Sequence, residues 1–139
     1  MKQLTEDYVS FETAKLLKEK GFDEYCNNYY YFFENNSNYW DFSNKGYEVR
    51  TKINKNSDKL GISCPTHQMA LKWLREVHGL HIEIGYIKNH YGNLNCGYFF
   101  SIVGINSDYK YCQSCLDDIF EEPEQAVEAA LKYTLENLI

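Results

Sequence analysis

Several things are scarce in this sequence, and each scarcity removes a class of protein. Proline occurs twice in 139 residues. Aromatic residues are plentiful instead, at 17%, which is not the composition of a disordered chain. No run approaches the roughly 18 apolar residues of a membrane span, so no membrane association is expected. Basic surplus is absent: the formal net charge is -6. A generic nucleic-acid binder carries the opposite sign, so double-stranded nucleic acid is not an expected partner. The opening, Met1 to Asp7, turns acidic where a secretory leader needs an apolar core. There is no Gly-rich phosphate loop, no GxSxG, no HExxH and no cysteine in a recognisable nucleophile setting. The residues therefore call for no cofactor. Five cysteines, an odd and scattered set, read as reduced thiols in a reducing compartment, the cytoplasm.

Charge is also unevenly placed. After Leu116 stand seven acidic residues and one basic one, Lys132. That segment holds the whole acidic surplus, and it reads as the solvated face of a helix.

One domain over residues 1–139 is the expectation from length. Ser10 can cap a helix from Phe11 to Lys20, with Phe11, Ala14 and Leu17 on one face and Gly21 as the stop. Tyr25 to Tyr47 holds ten of the 23 aromatic residues and six Asn. Tyr29 to Phe33 reads as a strand, residues 34–38 as a turn and Tyr39 to Phe42 as a returning strand. Gly46 to Gly61 is polar and locally basic and reads as a loop. Pro65 opens a second helix with Met69, Ala70, Trp73, Leu74 and Val77 as its apolar stripe, ended by Gly79. Leu80, Ile82, Ile84 and Tyr86 alternate on one face of a strand. His81 and Glu83 share its other face. Gly97 to Ile105 is almost wholly apolar, as a central strand would be. A last helix begins at Pro123, with Glu124, Glu128, Lys132 and Glu136 outward and Glu128 set to pair with Lys132. The expected class is α+β, three helices packed on a small antiparallel sheet of two hairpins.

Three stretches carry a resemblance: Val9 to Phe22, Pro65 to Ile84 and Glu124 to Ile139, together about a third of the 139 residues. They resemble a family of small phage and prophage proteins of gut Bacteroidales. The run Pro65-Thr66-x-x-x-Ala70-x-x-Trp73-Leu74-Arg75-Glu76 is the most specific part. The resemblance implies a bacterial cytoplasm and an accessory role, such as antagonism of host defence. It carries over no catalytic residues.

Four constellations carry chemistry. Cys112-Gln113-Ser114-Cys115 is a single CxxC, and a structural zinc needs two further ligands. His78 and His81 could supply them only across an unusually long spacing, so no metal is expected. His81 and Glu83, two apart on a strand, could floor a polar pocket, or be an ordinary half-exposed pair. Arg75 projects from the second helix and could grip an anion, or pair with a surface carboxylate.

The fourth constellation is the aromatic stretch. Tyr29, Tyr31, Phe33, Tyr39 and Trp40, beside Lys52 and Lys55, could stack a base and hold phosphate. They could equally form a protein or homo-oligomer interface, since Tyr and Trp dominate interface hot spots. Or they could reflect the codons of an A·T-rich genome. Three functions are thus expected in competition. One is a host-protein inhibitor acting through the Tyr25 to Tyr47 region. Another is a sponge for a nucleotide-like signal, and the third is an enzyme with a His/Glu site.

Overall fold

The computed structural model describes residues 3–32, 46–88, 96–106, 110–112 (backbone only) and 119–139. The chain divides into two compact units: Tyr8–Pro65, and Met1–Asp7 with Thr66–Ile139. The expected α+β class is what both contain, with strands shared between two antiparallel three-stranded sheets.

In the Tyr8–Pro65 unit, helix α1 spans Phe11–Glu19. The Ser10 hydroxyl accepts from the Thr13 amide at 3.2 Å, satisfying one orphan donor of the first turn. Thr13, Ala14 and Leu17 are buried on its inner face. Strand β1 (Cys26–Phe32) is central, with β2 (Tyr47–Asn54) on one side and the short β3 (Ile62–Ser63) on the other. Five consecutive aromatic residues cannot share one face of a strand, and Tyr29 and Tyr30 are both buried, at 7% exposure each, on opposite faces. The Tyr30 hydroxyl donates to the Val9 carbonyl at 2.7 Å. Phe11 of α1 stacks on Tyr47, with ring centroids 4.1 Å apart, and meets Tyr30 and Phe32 edge-on.

The expected loop over Gly46 to Gly61 is instead strand β2, followed by a 3₁₀ turn at Asn56–Asp58. Val49 to Ile53 are all exposed. The strand is held by its ladder to β1 rather than by a buried face, so hydropathy gives it little signature. Three polar residues that look like loop punctuation are its buried anchors. Asn54 donates to the carbonyls of Lys52 (2.7 Å) and Cys26 (3.3 Å) and accepts from the Ser63 hydroxyl (2.7 Å). Asn56 donates to the Phe22 carbonyl (2.6 Å) and accepts from the Ser63 amide (2.9 Å). Every element of the unit's sheet is thus tied through side-chain amides, as buried backbone groups require.

In the second unit, α2 spans His67–His78. Pro65 precedes the helix rather than opening it. Thr66 is the cap, its hydroxyl accepting from the Met69 amide at 3.2 Å. The buried stripe is His67, Ala70, Trp73 and Leu74. Val77, expected inside, is 59% exposed. Gly79 ends the helix in the left-handed region at φ 64, where a side chain would be strained. Strands β4 (Leu80–Ile87), β5 (Gly97–Gly104) and β6 (Lys110–Cys112) form the sheet with β5 central, as its apolar sequence implied. Leu80, Ile82, Phe100 and Ile102 are buried on one face, against which α2 and α3 (Pro123–Asn137) pack. Helix α3 starts with Pro at its first turn and a reciprocal box in which the Glu122 amide donates to Gln125 Oε1 at 3.2 Å. Ala126, Val127, Ala130, Leu131, Thr134 and Leu135 are its buried side.

Candidate functional site

The β1–β2 ribbon carries three of the seven described candidate side chains, Tyr29, Tyr31 and Lys52. In its antiparallel register Tyr29 lies opposite Arg50, Tyr30 opposite Val49 and Tyr31 opposite Glu48. Cross-strand partners share a face, so Tyr29, Tyr31, Glu48 and Arg50 stand together. The Arg50 guanidinium lies 3.7 Å from the Tyr31 ring centroid and pairs with Glu48. The hydrogen bond to Glu48, with a smaller one to Tyr29, holds the guanidinium pKa above its ordinary value. Tyr31 therefore already carries its own cation on the described ring, the place where a base would stack. The opposite face carries Tyr30, Phe32, Tyr47 and Val49. Phe32 is 46% exposed and Val49 56%, with Ile53 further along β2 at 69%.

Lys52 is exposed on β2. Lys55 lies 5.0 Å from the Tyr25 ring centroid, and its amide donates to Asp58 Oδ2 at 2.9 Å. Arg75 is exposed in the last turn of α2, in the other unit. Phe33, Tyr39 and Trp40, and with them the expected returning strand, lie outside the described residues. So does Cys115, and of Cys112 only the backbone is described. Among the described residues no three His, Cys, Asp or Glu side chains are placed to hold a metal ion.

His81 and Glu83 do face one another, Nε2 to Oε1, at 3.7 Å. That is an ion-pair separation, too long for a hydrogen bond. Both are well exposed, at 42% and 64%, on the sheet face away from Leu80 and Ile82. Pairs so open to water hold one another weakly.

A more enclosed pair had no signal in the sequence. His67 Nε2 lies 2.9 Å from Glu128 Oε1, with side-chain exposures of 9% and 26%. The partners are 61 residues apart. Periodicity set Glu128 on the outer stripe of α3 beside Lys132, and its carboxylate instead reaches the first turn of α2. A cavity of about 290 Å³ opens there, lined by Glu6, Asp7, His67, Leu71, Glu124 and Val127 among others. At the other end of α2, His78 Nε2 is a buried nitrogen without a hydrogen-bond partner among the described residues, its ring edge-on to Trp73 at 4.6 Å.

This chain matches no protein-family model, no curated protein and no solved structure.

Proposed function

We propose that the protein is a binding module whose working surface is the β1–β2 ribbon, and that it acts as a phage-type accessory protein blocking a host protein in the bacterial cytoplasm. The observation that carries the reading is the exposure of Phe32, Val49 and Ile53 on one face of a two-stranded ribbon, with the stacked Tyr31–Arg50 pair on the other. Exposed aromatic and apolar side chains gathered on one face are what marks an interaction surface. Cys26, Cys64 and Cys96 form no disulfide with one another, which suits a reducing compartment. No helix of the described residues is long and apolar enough to cross a membrane. The host-directed role comes from the family resemblance. A nucleotide sponge has less support, because Arg50 occupies the Tyr31 ring. An enzyme centred on His81 and Glu83 has less still, because that pair lies open to water.

Capture from host lysate tests the reading. Val49→Lys and Ile53→Lys place charge on exposed positions, so each should keep the fold by circular dichroism and lose the captured protein. Capture that survives both substitutions sinks this surface as the working one.

A further inference from the structure

No described strand lies along the side of β2 away from β1. Natural edge strands are blunted by shortness, by proline, by a bulge or by charged side chains, and of these β2 has charges, at Glu48, Arg50 and Lys52. Here the strand runs eight residues without proline. Its one irregularity sits at the far end, where the register shifts between Cys26 and Asn28 on β1, against Thr51 and Asn54 on β2. Among the described residues, nothing pairs with the outer backbone groups of the regular edge Tyr47 to Thr51.

We propose that this edge pairs antiparallel with β2 of a second copy, about a two-fold axis through Val49. The inference rests on the ribbon being the working surface and adds that two copies join along its edge to present it. In an antiparallel pair, directly opposed residues share a face. A two-fold axis normal to the sheet therefore passes through a residue and sets it opposite itself. Centred on Val49, the exposed valine meets its own copy, Glu48 faces Arg50 twice, and Tyr47 faces Thr51 twice. Every pair is apolar, oppositely charged or aromatic against β-branched. The neighbouring registers are worse. Centring on Arg50 stacks arginine on arginine, and centring on Thr51 sets Arg50 against Lys52 twice. Both also run into the irregular end of the strand. Centring on Glu48 opposes two carboxylates and shortens the ladder. Of these four registers only the Val49 one avoids like charges, and it is the one that uses the whole regular edge, so the segment is self-complementary there, as a two-fold interface requires. Glu48 and Arg50 already pair along the strand, and across the axis they extend into a four-charge network. The product is a continuous six-stranded sheet with the Tyr31–Arg50 face of both copies on one side.

The test uses the full chain. Light scattering after size exclusion, repeated across protein concentration, should show the wild-type mass doubling as concentration rises, because so short a ladder associates weakly. Glu48→Arg and Arg50→Glu each create like-charge oppositions and should each stay monomeric at the highest concentration. Mixed in equal amounts, they should form a mixed dimer, since each charge then meets its opposite on the other chain. Native mass spectrometry distinguishes the mixed species by mass. Recovery on mixing also shows that both variants are folded. A wild type that is monomeric throughout, a dimer that both variants retain, or a mixture that stays monomeric overturns the proposal. A monomer that still loses host-protein capture on Ile53→Lys sinks the pairing alone. A dimer behaving as described, whose capture survives both Val49→Lys and Ile53→Lys, sinks the host-inhibitor reading alone.

Discussion

Asn54 offers the sharpest test of what holds the Tyr8–Pro65 unit together. It is 1% exposed and makes three hydrogen bonds, to Lys52, Cys26 and Ser63, at 2.7, 3.3 and 2.7 Å. Each buried hydrogen bond contributes about 1 kcal/mol net, and a partner stranded without water costs about 1–3 kcal/mol. Asn54→Ala strands two carbonyls and a hydroxyl, so a loss of about 3 kcal/mol is expected. That is a large fraction of the roughly 5–15 kcal/mol by which domains are stable. In a urea titration followed by far-UV circular dichroism, it corresponds to a midpoint lowered by about 1 M or more. Amide exchange of the β1 peptide should accelerate alongside. Asn54→Asp adds a sign. Its carboxylate would face two carbonyls, so burial and repulsion raise its folded pKa above the unfolded value. A raised carboxyl contributes stability at low pH that is lost as pH rises. This variant should therefore approach wild type on acidification and be worst at neutral pH. A stability loss under about 1 kcal/mol for Asn54→Ala, or a flat pH profile for Asn54→Asp, refutes the account of β2 as a strand anchored by amides.

Three other outcomes are expected. Gly61→Ala puts a Cβ against the Tyr30 carbonyl oxygen and 2.9 Å from Tyr29 Cδ2. It should cost about 1–3 kcal/mol, and an unchanged melting temperature denies the close approach. His67→Leu and Glu128→Gln should each destabilise by about 1–2 kcal/mol, with a double-mutant coupling above about 0.5 kcal/mol; strict additivity would mean that the 2.9 Å contact contributes nothing. Burial, then the neighbouring Cys64 and Glu24, push the Cys26 thiol from 9.0 up to about 12. Cys26 should stay unalkylated in the native protein while the exposed Cys96 reacts. Because the raised thiol pKa favours the protonated folded state, this stability is complete below pH 9 and erodes between pH 9 and 12. Equal labelling of Cys26 and Cys96, read by peptide mass spectrometry, contradicts that.

Some of this was legible in the residues and some was not, for reasons that differ by element. Helices α1, α2 and α3 announce themselves through Ser10, Gly21, Gly79 and Pro123, because caps are local chemistry. Strands β4 and β5 do so through alternation and an apolar run, because both lie in a sheet with a buried face. Strand β2 does neither. Its side chains from Val49 to Ile53 stay in water and its order comes from β1, so its charges read as loop. Missing β2 also hid the Arg50–Tyr31 stack, since a cross-strand contact cannot be seen until both strands are. The stripe of α2 was read slightly out of phase, trading buried His67 for exposed Val77, because a histidine at a helix start looks like surface. His67–Glu128 depends on two helices meeting, which neither helix encodes alone.

The chain-end bonds of the two units have a consequence for how the protein is assembled. The Val9 amide donates to the Pro65 carbonyl at 3.0 Å, and the His67 amide to the Asp7 carbonyl at 2.9 Å. The chain thus leaves one unit at Asp7 and re-enters it at Thr66, with the other unit strung between like a bead whose two threads emerge side by side. Joining Asp7 to His67 through an unstructured loop of that length would cost about 4 kcal/mol of chain entropy. Once the Tyr8–Pro65 unit has closed on its own ends, most of that cost has been met before the second unit forms. The bead is then exchangeable: any sequence that brings its termini equally close can occupy the position, and its exposed strand β2 can diverge while the residues from Thr66 onward keep their packing.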